Sequence, residues 1–191
     1  MRGEADFSQC RFTAMDEWLS MNDTTPGSCG DFLRKNFLSV VNFREENICL
    51  FDGLAPDSEA ECGRVKAKLQ ERGPFDFLLL GSGMNGHLAL NEPDAPFTGS
   101  VRVTQLSDTT KTVGKKYFDA SASPELQGGL TIGIADMATA HRTVLAINGS
   151  RKRDILRRIL EEPVGPACPA SAVRCWKNAS LFCDTESYTN P

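Results

Sequence analysis

The chain has 191 residues, with 21 Lys and Arg against 25 Asp and Glu, a net charge of −4 and 40% apolar residues. That length fits one domain, here spanning residues 1–191, with enough chain to bury a real core. The mild charge and the lack of a long single-sign run argue against a nucleic-acid partner. No stretch approaches the roughly 20 apolar residues that span a bilayer.

Taken in chain order, strand-like and helix-like segments alternate. Arg11 to Ala14 reads as the end of a strand, with Met15-Asp16-Glu17-Trp18 just beyond it. Asp31 to Val41 places Phe32, Leu33, Phe37 and Val40 at helical spacing. Asn47 to Phe51 is a short apolar run closed by Asp52-Gly53, which predicts a buried strand. Asp57 to Arg72 predicts a charged helix, capped by Asp57 or Ser58 and stopped by Gly73-Pro74. Phe75 to Leu80 is nearly all apolar, as expected of a strand covered on both faces.

Further along, Val101 to Leu106 predicts a strand and is followed by a polar helix reaching Phe118. Leu130 to Ile134 and Thr143 to Ile147 predict two more strands, separated by a short helical turn over Ala135 to Ala140. Ser150 to Glu162 is amphipathic, with Ile155, Leu156, Ile159 and Leu160 inward and Arg151, Lys152, Arg153, Arg157 and Arg158 outward. Ser180 to Cys183 closes as a strand. This alternation predicts an α/β fold around a mostly parallel sheet flanked by helices. Ligands of such sheets bind beyond the carboxyl ends of the strands, so the residues at those ends carry the functional reading.

The seven cysteines, Cys10, Cys29, Cys49, Cys62, Cys168, Cys175 and Cys183, show neither zinc-site nor redox-motif spacing. They predict reduced thiols and no bound metal. The start, Met1 to Asp6, has no apolar h-region, and a cytoplasmic location is expected.

Phe75 to Pro93 reads FDFLLLGSGMNGHLALNEP, a buried strand running into a glycine-rich loop. Gly81-Ser82-Gly83-Met84-Asn85-Gly86 matches the dinucleotide fingerprint in form. The fingerprint needs its third glycine to open a long helix, and Pro93 and Pro96 limit any helix here to about two turns. No nicotinamide cofactor is therefore expected. His87 can exchange a proton near neutral pH, and Glu92 is close enough in sequence to orient its imidazole. A structural histidine held in a loop is the competing reading. Asp16, at another strand end, could abstract a proton alpha to a carbonyl or imine, or could cap a helix. Gly149-Ser150-Arg151-Lys152 follows a strand and opens a helix, which favours an anion. Lys152 adds a point charge suited to phosphate, although a solvated basic helix face would look the same.

Gly83-Met84-Asn85-Gly86-His87-Leu88-Ala89-Leu90-Asn91-Glu92-Pro93 resembles the signature of the glucosamine-6-phosphate deaminase and galactosamine-6-phosphate isomerase family. Met15-Asp16-Glu17-Trp18, Leu130-Thr131-Ile132-Gly133 and Gly149-Ser150-Arg151-Lys152 are also similar to its segments, in the same order. The related 6-phosphogluconolactonases share a glycine-rich loop and histidine without the Asn-Glu-Pro ending.

The resemblance implies a Rossmann-like fold and an amino-sugar phosphate substrate. It also implies catalysis without metal or organic cofactor, and the possibility of a homo-oligomer. Asp16 would move the proton between C2 and C1 of the opened sugar. His87 would shuttle a proton at the ring oxygen, with Glu92 paired to it. Lys152 would hold the 6-phosphate, Gly81 would line the sugar site, and Lys116 stands near the family's phosphate-binding arginine.

Two features depart from the family pattern. Asn85 stands where glucosamine-6-phosphate deaminases usually carry aspartate; it cannot act as a base and adds no charge beside His87. Together with Thr25-Pro26-Gly27-Ser28-Cys29 and Pro169-Ala170-Ser171, it is closer to the galactosamine branch. Family members also carry an N-terminal strand and a phosphate-cradling loop before the Asp-Glu segment. The expectation here is a fold without them.

Overall fold

The computed structural model describes residues 5–118 and 124–188. Its strands are β1 (Phe12–Thr13), β2 (Asp16–Trp18), β3 (Ile48–Cys49), β4 (Leu78–Leu80), β5 (Arg102–Gln105), β6 (Gly128–Thr131), β7 (Thr143–Ile147) and β8 (Ala179–Cys183). The α-helices are α1 (Cys29–Leu33), α2 (Ser58–Arg72), α3 (Asp108–Gly114), α4 (Ile134–Met137) and α5 (Arg153–Glu161).

The fold is α/β, and three of the five strand pairings are parallel. β4, β7 and β8 form a parallel sheet in that order, and β1 pairs with β3, also parallel. The remaining sheet, β2-β6-β5, is antiparallel, which the alternating pattern did not reveal. Asp16 lies inside β2, opposite Thr131 of β6, and so caps no helix.

Local chemistry accounts for most element ends. Asp57 caps α2 by accepting from the Glu59 and Ala60 amides, and Gly73, at φ 80°, ends the helix where an L side chain would be strained. Ser107 caps α3 by accepting from the Thr110 amide, and Ser28 caps α1 by accepting from the Asp31 amide. The helix expected over 31–41 starts at Cys29 and passes into a π-helix over Arg34–Leu38. That change of period rotates Phe32 and Val40 into solvent and buries Leu38 instead.

The main core draws Leu78 and Leu80 from β4, Leu130 from β6, Leu145 and Ile147 from β7, and Ile155, Leu156 and Ile159 from α5. Leu160, expected among the inward residues of α5, is exposed. The parallel sheet is covered on one face only. Leu79 and Phe182 are 61% and 58% exposed, and Phe77 and Ala146 are exposed as well. The expectation that the 75–80 strand is covered on both faces is thus corrected: β4 alternates buried and exposed, and among the described residues β7 is its single partner.

Candidate active site

The loop after β4 brings the titratable groups together. Gly83 packs against the His87 ring so tightly that a Cβ there would meet Nε2 at 2.3 Å. Gly86 sits at φ 91°, where glycine alone is unstrained, and its carbonyl accepts from the Ala170 amide. Farther on, Asn91 is fully buried. Its side-chain amide donates to the Leu88 and Ile132 carbonyls, and its oxygen accepts from Arg102 at 2.6 Å. This ties the end of the loop to β5 and to the residue after β6, which fixes the position of the adjacent Glu92.

His87 Nδ1 lies 3.6 Å from Glu92 Oε1 and 3.0 Å from the Thr110 hydroxyl. Asn85 Nδ2 donates to Glu92 Oε2 at 2.6 Å and to Ser107 Oγ at 3.0 Å, while Asn85 Oδ1 accepts from the His87 amide. Burial would by itself raise the Glu92 carboxyl. The nearby polar groups of His87 and Thr110, the charge of His87 and the hydrogen bond from Asn85 outweigh it and hold the group down to about 2. Glu92 is an anion at neutral pH, suited to stabilise a protonated His87.

Asp16 comes to the same region from β2. Desolvation raises its carboxyl, opposed by a hydrogen bond from the Cys29 thiol and by the charge of His87. His87 is thus near enough to Asp16 to act on it electrostatically. A raised carboxyl pKa makes a stronger base once ionised, which suits proton abstraction from carbon.

The neighbouring Glu17 is nearly inaccessible and accepts from the Trp18, Cys29 and Gly30 amides at 2.9, 3.0 and 2.7 Å. It clamps the first turn of α1 against β2 and so fixes Cys29 beside Asp16. Those two charges and desolvation push the Cys29 thiol well up, so it is a donor rather than a nucleophile.

Lys152 reaches the same loop from a 3-10 turn over Ser150–Lys152, and its Nζ donates to the Ser82 carbonyl at 2.5 Å. Burial lowers its ammonium, and the charges of Lys116 and Arg151 push in the same direction. Lys116, exposed on the turn after α3, lies 4.9 Å over the Tyr117 ring. The three cations form one positive lobe beside the loop. The Gly149 amide, however, donates to the Asp184 carboxylate at 3.0 Å and is not free for an anion. Gly81 is exposed at the end of β4, where a Cβ would meet nothing nearer than the Ala146 carbonyl at 3.9 Å.

The structure therefore brings Asn85, His87 and Glu92 together with Asp16 in electrostatic reach, and sets Lys152 and Lys116 beside the loop, whereas Gly81 meets no side chain of the group. Thr110, Ser107, Glu17, Cys29 and Ser82 were missed. Ser107 was open to detection as the cap of a polar helix, whereas the others act through contacts distant in sequence. Among the described residues no group of three or more His, Cys, Asp and Glu side chains could hold a metal ion, and no helix is long and apolar enough to cross a membrane.

A family model described as glucosamine-6-phosphate isomerases/6-phosphogluconolactonase matches residues 1–182. The chain belongs to this family. It is 32% identical to a glucosamine-6-phosphate deaminase of Lachnoclostridium phytofermentans, over 95% of the chain and 77% of that protein. It is 31% identical to glucosamine-6-phosphate deaminase 1 of Giardia intestinalis, over 95% of the chain and 68% of that protein. Among solved structures, a monomeric glucosamine-6-phosphate deaminase superposes with a TM-score of 0.90 at 28% identity, covering 95% of the chain and 75% of that protein. The 6-phosphogluconolactonase of Thermotoga maritima shares the fold, with a TM-score of 0.74 at 19% identity, covering 94% and 74%. That deaminase structure is thus nearer in backbone than this lactonase.

Proposed function

We propose that the chain is an aldose–ketose isomerase and deaminase that converts a 2-amino-2-deoxyhexose 6-phosphate and water into a ketohexose 6-phosphate and ammonia. The observation that carries this reading is the pairing of two differently tuned carboxylates around one histidine. Asp16 is raised, and Glu92 is held down beside His87. Two titratable groups pushed apart in this way can divide base and electrostatic roles between them.

His87 passes a proton to or from the ring oxygen as the pyranose opens, and Glu92 stabilises the imidazolium. Asp16 removes the proton from C2 and leaves an enolamine. Protonation at C1 gives the ketimine, and water adds at C2 as ammonia departs. Lys152, with Lys116 beside it, holds the 6-phosphate, and Gly81 lines the sugar site. Such proton transfers contribute about 10²–10⁴-fold each, and phosphate anchoring supplies positioning.

Glucosamine 6-phosphate is favoured as substrate by the relatives. Asn85 favours a second reading, galactosamine 6-phosphate, because enzymes resembling the galactosamine branch carry asparagine there. The test is ammonia release by the purified, folded chain offered both sugars in parallel. Release from either supports the reaction, and the faster substrate decides the branch. If the folded chain released no ammonia from either yet hydrolysed a phosphosugar lactone, the lactonase branch of the family would replace this reading.

A further inference from the structure

The Glu92 carboxylate is buried, and its Oε1 has no hydrogen-bond partner within ordinary distance, because His87 Nδ1 stands off at 3.6 Å. A buried anionic oxygen left unpaired is costly, and its partner should be close by. Thr110, 4% exposed in α3, has its hydroxyl 3.0 Å from His87 Nδ1, the same nitrogen that stands 3.6 Å from Glu92 Oε1. The hydrogen bonds around that hydroxyl fix its direction. Ser107 Oγ accepts from the Thr110 amide at 3.2 Å and from Asn85 Nδ2 at 3.0 Å, so its own proton is free to go to Thr110 Oγ1, 3.2 Å away. With one lone pair filled by Ser107, Thr110 Oγ1 can accept once more and donate once.

We infer that Thr110 is a positioning residue for the reaction, bridging His87 and Glu92. It accepts from His87 Nδ1–H and donates its own proton to Glu92 Oε1. Every polar atom of the Asn85–Glu92–Thr110–Ser107 group then has a partner. His87 is held as the Nδ1–H tautomer, which leaves Nε2, the nitrogen beside Gly83, unprotonated, since the partner of one ring nitrogen decides the state of the other. Asn85 takes part by occupying Oε2, which leaves Oε1 to the hydroxyl. The same hydroxyl contributes to holding Glu92 ionised. This inference rests on the proposed deaminase reaction for its kinetic consequence, but not for its structural one.

The test combines two readouts on the full chain. Histidine ¹⁵N resonances report the tautomer, and the chain holds two histidines, His87 and the exposed His141, so assignment is direct. Wild type and Thr110→Ser should show His87 as Nδ1–H. Thr110→Val, which replaces the hydroxyl by a methyl group, should shift it towards Nε2–H. If the valine variant does not fold, Thr110→Ala makes the same comparison. In turnover, the loss of the hydroxyl should lower kcat by about tenfold to hundredfold with KM within about twofold, and serine should restore most of it. An unchanged tautomer in the folded valine or alanine variant overturns the bridge, and a changed tautomer with unchanged kcat overturns its role in the reaction. A wild-type chain that releases no ammonia sinks the proposed reaction instead, and the tautomer comparison still decides the bridge.

Discussion

Lys152 Nζ and the Ser82 carbonyl are joined by a 2.5 Å hydrogen bond that ties the positive lobe to the glycine-rich loop carrying His87. The lysine thereby arrives at the cleft with one of its three protons committed and its charge half-buried. It stands as a preorganised point charge rather than a mobile surface group. Lys152→Met keeps the stem and removes the charge. KM for the aminosugar phosphate should rise by about tenfold to hundredfold, with a smaller effect on kcat, as steady-state kinetics would show. An unchanged KM would place the phosphate elsewhere.

Asp16→Asn preserves the shape of β2 and removes the base. The expected loss is in kcat, about 10²–10⁴-fold. Exchange of the C2 proton with deuterated water, followed by mass spectrometry, should fall in parallel. Retention of full exchange would assign the proton transfer to another group.

The acid stability of the chain should depend on Glu92. Its carboxyl lies near 2 folded against 4.5 in the free side chain, so the unfolded chain binds the proton more readily. Its stabilisation, at most about 3 kcal/mol, is complete above the unfolded value and disappears as pH falls towards the folded one. Asp16, shifted the other way, opposes this: its contribution is present at low pH and lost as pH rises. Denaturant titrations of Glu92→Gln should lack the Glu92-linked loss between about pH 4.5 and 2 that wild type shows. Equal pH slopes in the two proteins would mean that the carboxyl is not held down.

Asn85→Asp would bring a second carboxylate 2.6 Å from Glu92 Oε2. Two anions at that distance must share a proton, and the Glu92–His87 pair would lose its fixed charge. The pH profile of turnover should shift by about one unit or more, because the two carboxylates then titrate as a coupled pair. A variant equal to wild type would show that the amide has no part in tuning the pair.

Leu79 and Phe182 lie on the uncovered face of the parallel sheet, away from the main core. Replacing both by threonine, which suits a strand, should leave stability within about 1 kcal/mol. Binding of an apolar dye and concentration-dependent light scattering should drop, because contiguous exposed apolar surface drives association. A large fall in Tm would mean that the face is covered in solution.

Much of the site was legible because its residues are close in sequence. His87, Glu92 and Asn85 share one loop, and the glycines that allow its path stand beside them. Gly83 is required by the His87 ring and Gly86 by its positive φ. Asp16 was placed as a candidate, but its environment was not foreseen. The strand that carries it, β2, pairs with β6 more than a hundred residues away, and periodicity is blind to such pairing. The inward set of α5 was read correctly for Ile155, Leu156 and Ile159 and wrongly for Leu160, which sits at the margin of the apolar stripe.

The sequence by itself determined the alternation of strands and helices, the capping residues, the glycine-rich turn and the candidates for the acid–base groups. Each of these depends on the chemistry of a residue and its near neighbours. Only the tertiary structure decided how those groups are tuned. Desolvation of Asp16, the contact of Thr110 with His87, and the bond from Lys152 to Ser82 all join distant segments. Burial and charge act through space, and no local pattern records which distant residues will meet.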